Sequence, residues 1–101
     1  MKRILLILLF LTFSISVFAD EKMVLGLDIY NNKAQCGVCH TLQAAGSTGT
    51  IGSNLDQLKP QMPQIIAAVT NGIGVMQGWE GILTYKEIES VAYYVFNSTN
   101  K

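Results

Sequence analysis

The sequence has little charge and no surplus of either sign. Seven basic and seven acidic residues are spread over 101 positions. The only arginine is Arg3, and the five lysines that follow Lys2 are scattered along the chain. This dispersal excludes the basic surface of a nucleic-acid-binding protein and a dense basic ring that steers acidic partners. Internal repeats and alternating strand patterns of useful length are also absent, which predicts a helical domain.

Cysteine and histidine are scarce too, and all three of these residues fall within the stretch Cys36-Gly37-Val38-Cys39-His40. A structural zinc site needs four ligands, usually from cysteine and histidine, so three are too few. A redox dithiol of the thioredoxin type requires a surrounding βαβ pattern, which the sequence lacks. A short disulfide in an exported protein stays open as a further alternative.

The spacing matches the C-x-x-C-H haem attachment pattern. Two cysteines one helical turn apart can each add to a vinyl group on the same porphyrin edge, and the next residue can place a ring nitrogen on the iron. We therefore predict one covalently attached haem c with its iron. Cys36 and Cys39 are the predicted thioethers, and His40 is the predicted proximal iron ligand.

The first nineteen residues have the form of a secretory signal peptide. A positive start at residues 2–3 precedes an apolar run at residues 4–15, and Val17-Phe18-Ala19 places small residues where signal peptidase reads them. We predict cleavage after Ala19, export to the periplasm and no stable membrane insertion, because the apolar run is short for a span of about 20 residues. Retention as an anchor stays open. Residues 20–101 then form one domain with a net charge of 5 − 7 = −2.

Three helices are predicted from apolar periodicity and end signals. They run from about Glu21 to Lys33, from about Pro63 to Thr70, and from a capping box at Thr84 and Glu87 to about Asn97. Asn71-Gly72 is a typical helix end. Glycine-rich loops are expected at residues 45–54 and 73–83.

The sixth position of the iron must be filled by something other than a second histidine, since the chain has one. A methionine thioether is the usual alternative and raises the reduction potential. Met76 lies in a glycine-spaced loop just before the last helix, and we predict it as the distal axial ligand. Met62, and an open sixth position, remain the alternatives, while Met23 is expected to pack or lie at the surface.

These motifs resemble those of class I c-type cytochromes, especially small single-haem bacterial forms, over nearly all of residues 24–97. The resemblance implies an all-α cytochrome c fold, with three to four helices wrapped around one covalently attached haem. Gly26, followed by Ile29 and Tyr30, matches the first-helix pattern of the family, and Val91-Ala92-Tyr93-Tyr94-Val95 matches its last-helix pattern. The resemblance implies that these helices cross, with the glycine giving room for Tyr94.

Further features of the site follow from the same resemblance. Gly52-Ser53-Asn54-Leu55 stands where the family often has Gly-Pro-Asn-Leu, with a backbone carbonyl that accepts from the iron-bound histidine. Gln77 replaces a proline that commonly follows the ligand methionine. Tyr30 lies six residues before Cys36, where many members have four, which implies a longer or bulged turn. Trp79 is a predicted haem contact, either as a donor to a propionate or by packing.

The predicted function is that of an electron carrier rather than an enzyme, because a haem with both axial positions filled has no vacancy for substrate. By resemblance, a dehydrogenase or quinol-oxidising complex is the donor and an oxidase or peroxidase the acceptor. A dedicated cytochrome subunit of a periplasmic oxidoreductase, such as a sulfite dehydrogenase, is the alternative, and a ligand-binding haem sensor or peroxidase is a third. Docking is expected to rely on an apolar patch formed by Cys36, Val38, Ile73 and Val75.

Overall fold

Two long helices meet at Gly26 and form the frame of the fold. The computed structural model describes residues 14–101, with side chains from residue 18 on. Helix α1 (Ser14–Asp28) packs against the last helix, Tyr85–Thr99. A Cβ atom at Gly26 would lie 2.3 Å from the Ser90 carbonyl oxygen and 2.5 Å from Tyr94 Cβ. The close approach that the resemblance implied between the first and last helices is therefore confirmed, and it requires glycine.

A wide helical turn connects α1 to the cysteine motif. Residues Ile29–Lys33 form a π-helical turn in which the Ala34 amide donates to the Ile29 carbonyl at 2.8 Å. A π turn holds one residue more than an α turn. The bulged turn implied by the long spacing before Cys36 is thus present, and it keeps Ile29 and Tyr30 buried in the core.

The middle of the chain is built from short elements. Strands β1 (Thr41–Leu42) and β2 (Ser47–Thr48) pair antiparallel, with Leu42 opposite Ser47. Helices α2 (Leu55–Leu58) and α3 (Met62–Asn71) follow. With Tyr85–Thr99 as α4, the described chain has four α-helices, which confirms the predicted helical domain. Neither α2 nor the hairpin, whose strands have two residues each, was predicted from the sequence, because elements this short carry no periodic pattern.

Helix α4 begins with the predicted capping box. The Glu87 amide donates to Thr84 Oγ1 at 3.2 Å, and the Thr84 amide donates to Glu87 Oε1 at 2.9 Å. Lys33 also donates to the Glu87 carboxylate, and this bond is the main cause of a lowered Glu87 pKa. The end of the π turn and the start of α4 are therefore linked. The helix continues two residues past the predicted end at Asn97, to Thr99.

None of the helices within residues 14–101 is both long enough and apolar enough to cross a bilayer. The predicted signal peptide at residues 1–19 lies largely outside the described residues, and its cleavage remains a prediction.

Tyr30 joins the core to the β-hairpin. Its side chain is fully buried, its ring centroid lies 6.0 Å from that of Tyr94, and its hydroxyl is 2.8 Å from Ser47 Oγ. Burial raises the pKa of Tyr30 to about 12, because the phenolate would lose its hydration in the core. In the folded protein the Tyr30 hydroxyl therefore stays protonated at pH values well above those at which an exposed tyrosine ionises.

Tyr30→Phe is expected to reduce the loss of stability at alkaline pH. The pKa of Tyr30 is raised in the folded state. Its contribution to the free energy of unfolding is therefore complete below the unfolded pKa of about 10 and is lost as pH rises to about 12. Wild-type protein should lose about 2–3 kcal/mol more than the variant between these limits. Guanidinium unfolding at about pH 8 and about pH 12 measures the difference. Equal losses in the two proteins would show that Tyr30 does not titrate in this way.

Candidate functional site

The two cysteines and the histidine lie on one tight turn. Residues Cys36–Val38 form a 3-10 helix, and the amides of Cys39 and His40 both donate to the Cys36 carbonyl, at 3.2 and 3.0 Å. Gln35, just before the turn, has a left-handed backbone with φ of 49°. This bend ends the preceding helix, so the 3-10 turn of the cysteine motif is a separate element from α1 and its π turn.

The His40 ring is held by a backbone carbonyl, as the resemblance implied. His40 Nδ1 lies 2.8 Å from the Ser53 carbonyl oxygen. A carbonyl only accepts, so Nδ1 carries the proton and Nε2 keeps its lone pair for a metal. A Cβ at Gly52 would lie 2.6 Å from His40 Cε1, so only glycine allows the ring this position. Serine in place of the usual proline at position 53 therefore leaves the carbonyl contact intact.

The environment of Cys36 disfavours redox exchange. Burial raises the pKa of the Cys36 thiol to about 11. Redox-active cysteines in C-x-x-C motifs instead have lowered pKa values, because the thiolate is the reactive form. Cys36 and Cys39 are also free thiols in the structure rather than a disulfide. The raised pKa of Cys36 counts against the redox dithiol, and the free thiols count against the disulfide.

One cavity of about 640 Å³ brings the predicted site residues together. Cys36, Cys39, His40, Met76 and Trp79 all line it. Apolar side chains from α2, α3 and α4 form much of the remaining wall, and they include Leu55, Leu58, Ile65, Ala68, Val69 and Val95. The lining provides thiols, a histidine with a free Nε2 and a thioether around an apolar space. This set of groups fits a haem that is bound through its edge and its iron.

The methionines of the described chain differ in their positions relative to this cavity. Met76 is part of its lining, whereas Met23 and Met62 are partly buried residues that pack against the core and do not line it. The sequence left Met62 open as a ligand because it stands near a helix start. The geometry places it at the first residue of α3 and away from the cavity wall.

A tight turn anchored to α3 presents Met76. The Ile73 amide donates to the Met76 carbonyl at 3.1 Å, and the Met76 amide donates back to the Ile73 carbonyl at 2.9 Å. A Cβ at Gly72 would lie 2.5 Å from the Met76 carbonyl oxygen. The Trp79 amide donates to the Val69 carbonyl of α3 at 2.8 Å. The turn is therefore held at both ends against the carboxyl end of α3, although Gln77 stands where the family has proline.

Part of the lining was not identified from the sequence. Ile51 reaches the cavity from the loop before α2, Pro60 from the segment between α2 and α3, and Gln64 from the first turn of α3. Their only signal in the sequence is proximity to the Gly52-Ser53-Asn54-Leu55 segment and to Pro63. Residues far apart in the chain converge here through packing, which periodicity alone does not predict.

Comparisons with known proteins agree on the kind of domain. The family model described as cytochrome C oxidase, cbb3-type, subunit III matches residues 22–95. Cytochrome c6 of Synechocystis sp. is 30% identical over 93 residues, covering 84% of this chain and 78% of the relative. Cytochrome c6 of Leptolyngbya boryana is 33% identical over 72 residues, covering 67% of this chain and 85% of the relative.

A solved structure is similar as well. The crystal structure of the c-type cytochrome SorU from Sinorhizobium meliloti superposes with a TM-score of 0.74 at 45% identity. The match covers 81% of this chain and 95% of that one. At this identity and coverage, the likeness extends to the fold of nearly the whole domain.

Proposed function

The chain belongs to the class I c-type cytochromes, electron carriers with one covalently attached haem c, and we propose that it carries electrons in the periplasm between protein redox partners. The observation that supports this most strongly is the shared cavity. His40, anchored through Nδ1 to the Ser53 carbonyl, and Met76, held by its turn, line the same space as both cysteines. If His40 and Met76 both ligated the iron of a bound haem, no ligand position would remain for a substrate.

Each residue of the site has a proposed role. Cys36 and Cys39 would hold the haem edge as thioethers, His40 Nε2 and the Met76 sulfur would ligate its iron, and Trp79 would contact the haem. Bound haem supplies an iron that gains or loses one electron. The Ser53 carbonyl orients His40 and raises its basicity as a ligand. The apolar wall would limit the access of water to a bound haem.

Export is supported by the form of residues 1–19 and by the chemistry of the site. Covalent attachment at Cys36 and Cys39 outside the cytoplasm fits the predicted periplasmic address. The intact mass of the purified protein checks the cleavage site, because a mature chain should begin at Asp20. A mass that includes residues 1–19 would assign the segment to a retained anchor.

Met76→Ala is expected to open the sixth position of the iron. Loss of the thioether should lower the reduction potential and let the reduced protein bind carbon monoxide at neutral pH, because His/Met ligation raises the potential and fills the site. Voltammetry and the carbon monoxide difference spectrum measure both effects. The wild type should bind no carbon monoxide, and binding by the wild type would favour the ligand-binding sensor or peroxidase alternative.

Met62→Ala is the matched control, because this methionine is also partly buried but does not line the cavity. Its removal should leave the reduction potential and carbon monoxide binding unchanged, while the free energy of unfolding falls by at most about 4 kcal/mol. If Met62→Ala alone opened the site, the axial assignment of Met76 would be wrong.

A dedicated subunit of an oxidoreductase is the second candidate function. Exposed apolar side chains at the cavity mouth, Val75 among them, favour it, because permanent interfaces are more hydrophobic than transient ones. Such a subunit, as for a sulfite dehydrogenase, should co-elute with its catalytic partner on size exclusion of native periplasm. A carrier that elutes alone supports free diffusion.

A further inference from the structure

The segment of residues 49–53 lies closely against His40, and we call it the histidine sleeve. The Ser53 carbonyl is 2.8 Å from His40 Nδ1, and the Gly52 backbone lies against the imidazole ring. The Gly52 amide also donates to the Cys39 carbonyl at 2.7 Å. The sleeve thus touches the proposed iron ligand at its ring and its Nδ1 proton, and the residue before it at the main chain.

Gly49 begins the sleeve and lies against the backbone of the cysteine turn, residues 36–40. A Cβ atom at Gly49 would lie 2.6 Å from the Cys39 carbonyl carbon and 2.7 Å from the His40 nitrogen. It would also lie 2.6 Å from the Gly37 carbonyl oxygen. All three distances are well inside 3.4 Å, where ordinary contact begins, and all three neighbours are backbone atoms that cannot rotate away. A side chain at position 49 would therefore force the sleeve and the turn apart.

Thr41, the residue after His40, ties both ends of the sleeve to the cysteine turn. Its hydroxyl donates to the Gly49 carbonyl at 2.8 Å, and its backbone forms a parallel bridge with Asn54, directly after the sleeve. Thr41 and Gly49 do not line the cavity. A change at either residue would therefore act on a bound haem through the turn that carries His40 rather than by direct contact.

The serine at position 53 makes this anchoring important. A proline there would fix φ at about −65° and so restrain the direction of the carbonyl without further contacts. Serine leaves φ free, so the direction of the Ser53 carbonyl depends on how the rest of the sleeve is held. The hydrogen bond from Thr41 to Gly49 restrains the opposite end of the same segment.

We propose that Thr41 and Gly49 are positioning residues for His40, and that their contact sets the strength of the Nδ1 hydrogen bond and, through it, the reduction potential. The inference rests on the proposed electron-carrier function and adds the residues that tune it. If the sleeve loosens, the Ser53 carbonyl moves away from Nδ1, and His40 becomes a less basic ligand. A less basic ligand stabilises the ferric state less, so the reduction potential rises.

Thr41→Val tests the anchor, because it removes the hydroxyl and keeps the side-chain volume. In the haem-loaded protein, the ratio of ferrous to ferric protein at a fixed applied potential should rise about threefold, which is about 30 mV for a one-electron couple. The NMR signal of the His40 Nδ1 proton in the ferrous protein should move upfield, because its hydrogen bond to Ser53 lengthens. Thr41→Ser keeps a hydroxyl and should restore both wild-type values.

Gly49→Ala should raise the same ratio by about tenfold, or about 60 mV, because the new Cβ separates the sleeve from the turn. Gly46→Ala is the matched control. Gly46 lies between β1 and β2 with φ of 71°, and a Cβ there would meet nothing within 4 Å. Alanine at position 46 therefore destabilises through backbone strain alone. Tm should fall in both variants, while the potential and the Nδ1 signal change only in Gly49→Ala.

Ser53→Pro tests whether the anchor compensates for the missing proline. In a Ser53→Pro background, Thr41→Val should shift the reduction potential by less than half as much as it does alone, because the proline ring then restrains the carbonyl. An undiminished shift in this background would overturn the compensation on which the proposal depends.

Other outcomes would overturn the positioning role directly. They are equal effects of Thr41→Val and Thr41→Ser, equal effects of the two glycine substitutions on the potential, or a shifted potential with an unmoved Nδ1 signal. If Gly49→Ala fails to fold, the two Thr41 variants decide the result. A reversible one-electron couple in the wild type would still support the carrier in all these cases. An irreversible couple would overturn the carrier itself, and the Nδ1 signal would then still test the sleeve.

Discussion

Replacing Cys36 and Cys39 together by alanine is expected to abolish covalent haem and to unfold the domain. Both thiols line the cavity from a single turn, so their loss leaves no atom on the chain that can form a thioether. Haem staining of a denaturing gel should fall from full intensity to none. Either single substitution should leave at most one thioether, with weaker staining.

The loss of the fold follows from the size of the cavity. An unfilled apolar cavity costs about 24 cal/mol per Å³. Even a third of the 640 Å³ would then cost about 5 kcal/mol, which equals the whole stability of a marginal small domain. The far-ultraviolet circular dichroism of the double variant should therefore lose most of its helical signal at room temperature.

Val38→Ala is the control within the motif. Val38 lies between the two cysteines but is 65% exposed, so its replacement should keep both staining and helicity. Staining that survived the double cysteine substitution unchanged would contradict the attachment at these residues. A double variant that lacks haem but keeps its full helical signal would instead show that the chain can close the cavity without haem.

Gly26→Ala is expected to lower the free energy of unfolding by about 2–3 kcal/mol, the upper range for overpacking. Helix propensity alone predicts the opposite, a gain of about 1 kcal/mol from replacing glycine in a helix. The contact decides the sign of the change in the free energy of unfolding, because the new Cβ would lie 2.3 Å from the Ser90 carbonyl oxygen. This oxygen belongs to the backbone and cannot rotate away. The helices must separate, which also loosens the packing around Tyr94.

Thermal denaturation followed by circular dichroism measures this effect. For a domain of this size, about 1 kcal/mol shifts Tm by about 4–8 °C, so a fall of about 10–20 °C is expected. Val24→Ala, on an exposed position of the same helix, should shift Tm by only a few degrees. A Gly26→Ala protein that was more stable than wild type would mean that propensity outweighs the contact.

The features that the sequence predicted correctly are local in the chain. The capping box at Thr84 and Glu87 joins residues three positions apart, and the helix end at Gly72 needs only a positive φ of 77°. The turn that groups Cys36, Cys39 and His40 is equally short. Such features depend on neighbouring residues, so their patterns can be read without knowing how the chain packs. The Gly26 contact was predicted only through the family resemblance.

The sequence by itself determined the family, the haem and the helical class, because the C-x-x-C-H spacing and the helix signals are local. Tertiary structure alone decided that Met76, and not Met62, lines the cavity. It also decided that Ile51 and Leu58 line the same cavity as Val38 and Val75. The contact of the Ser53 carbonyl with His40, across 13 positions, was implied only by the family resemblance. The physical reason is that these contacts arise where separate segments pack around one space, and no short pattern records which segments will meet.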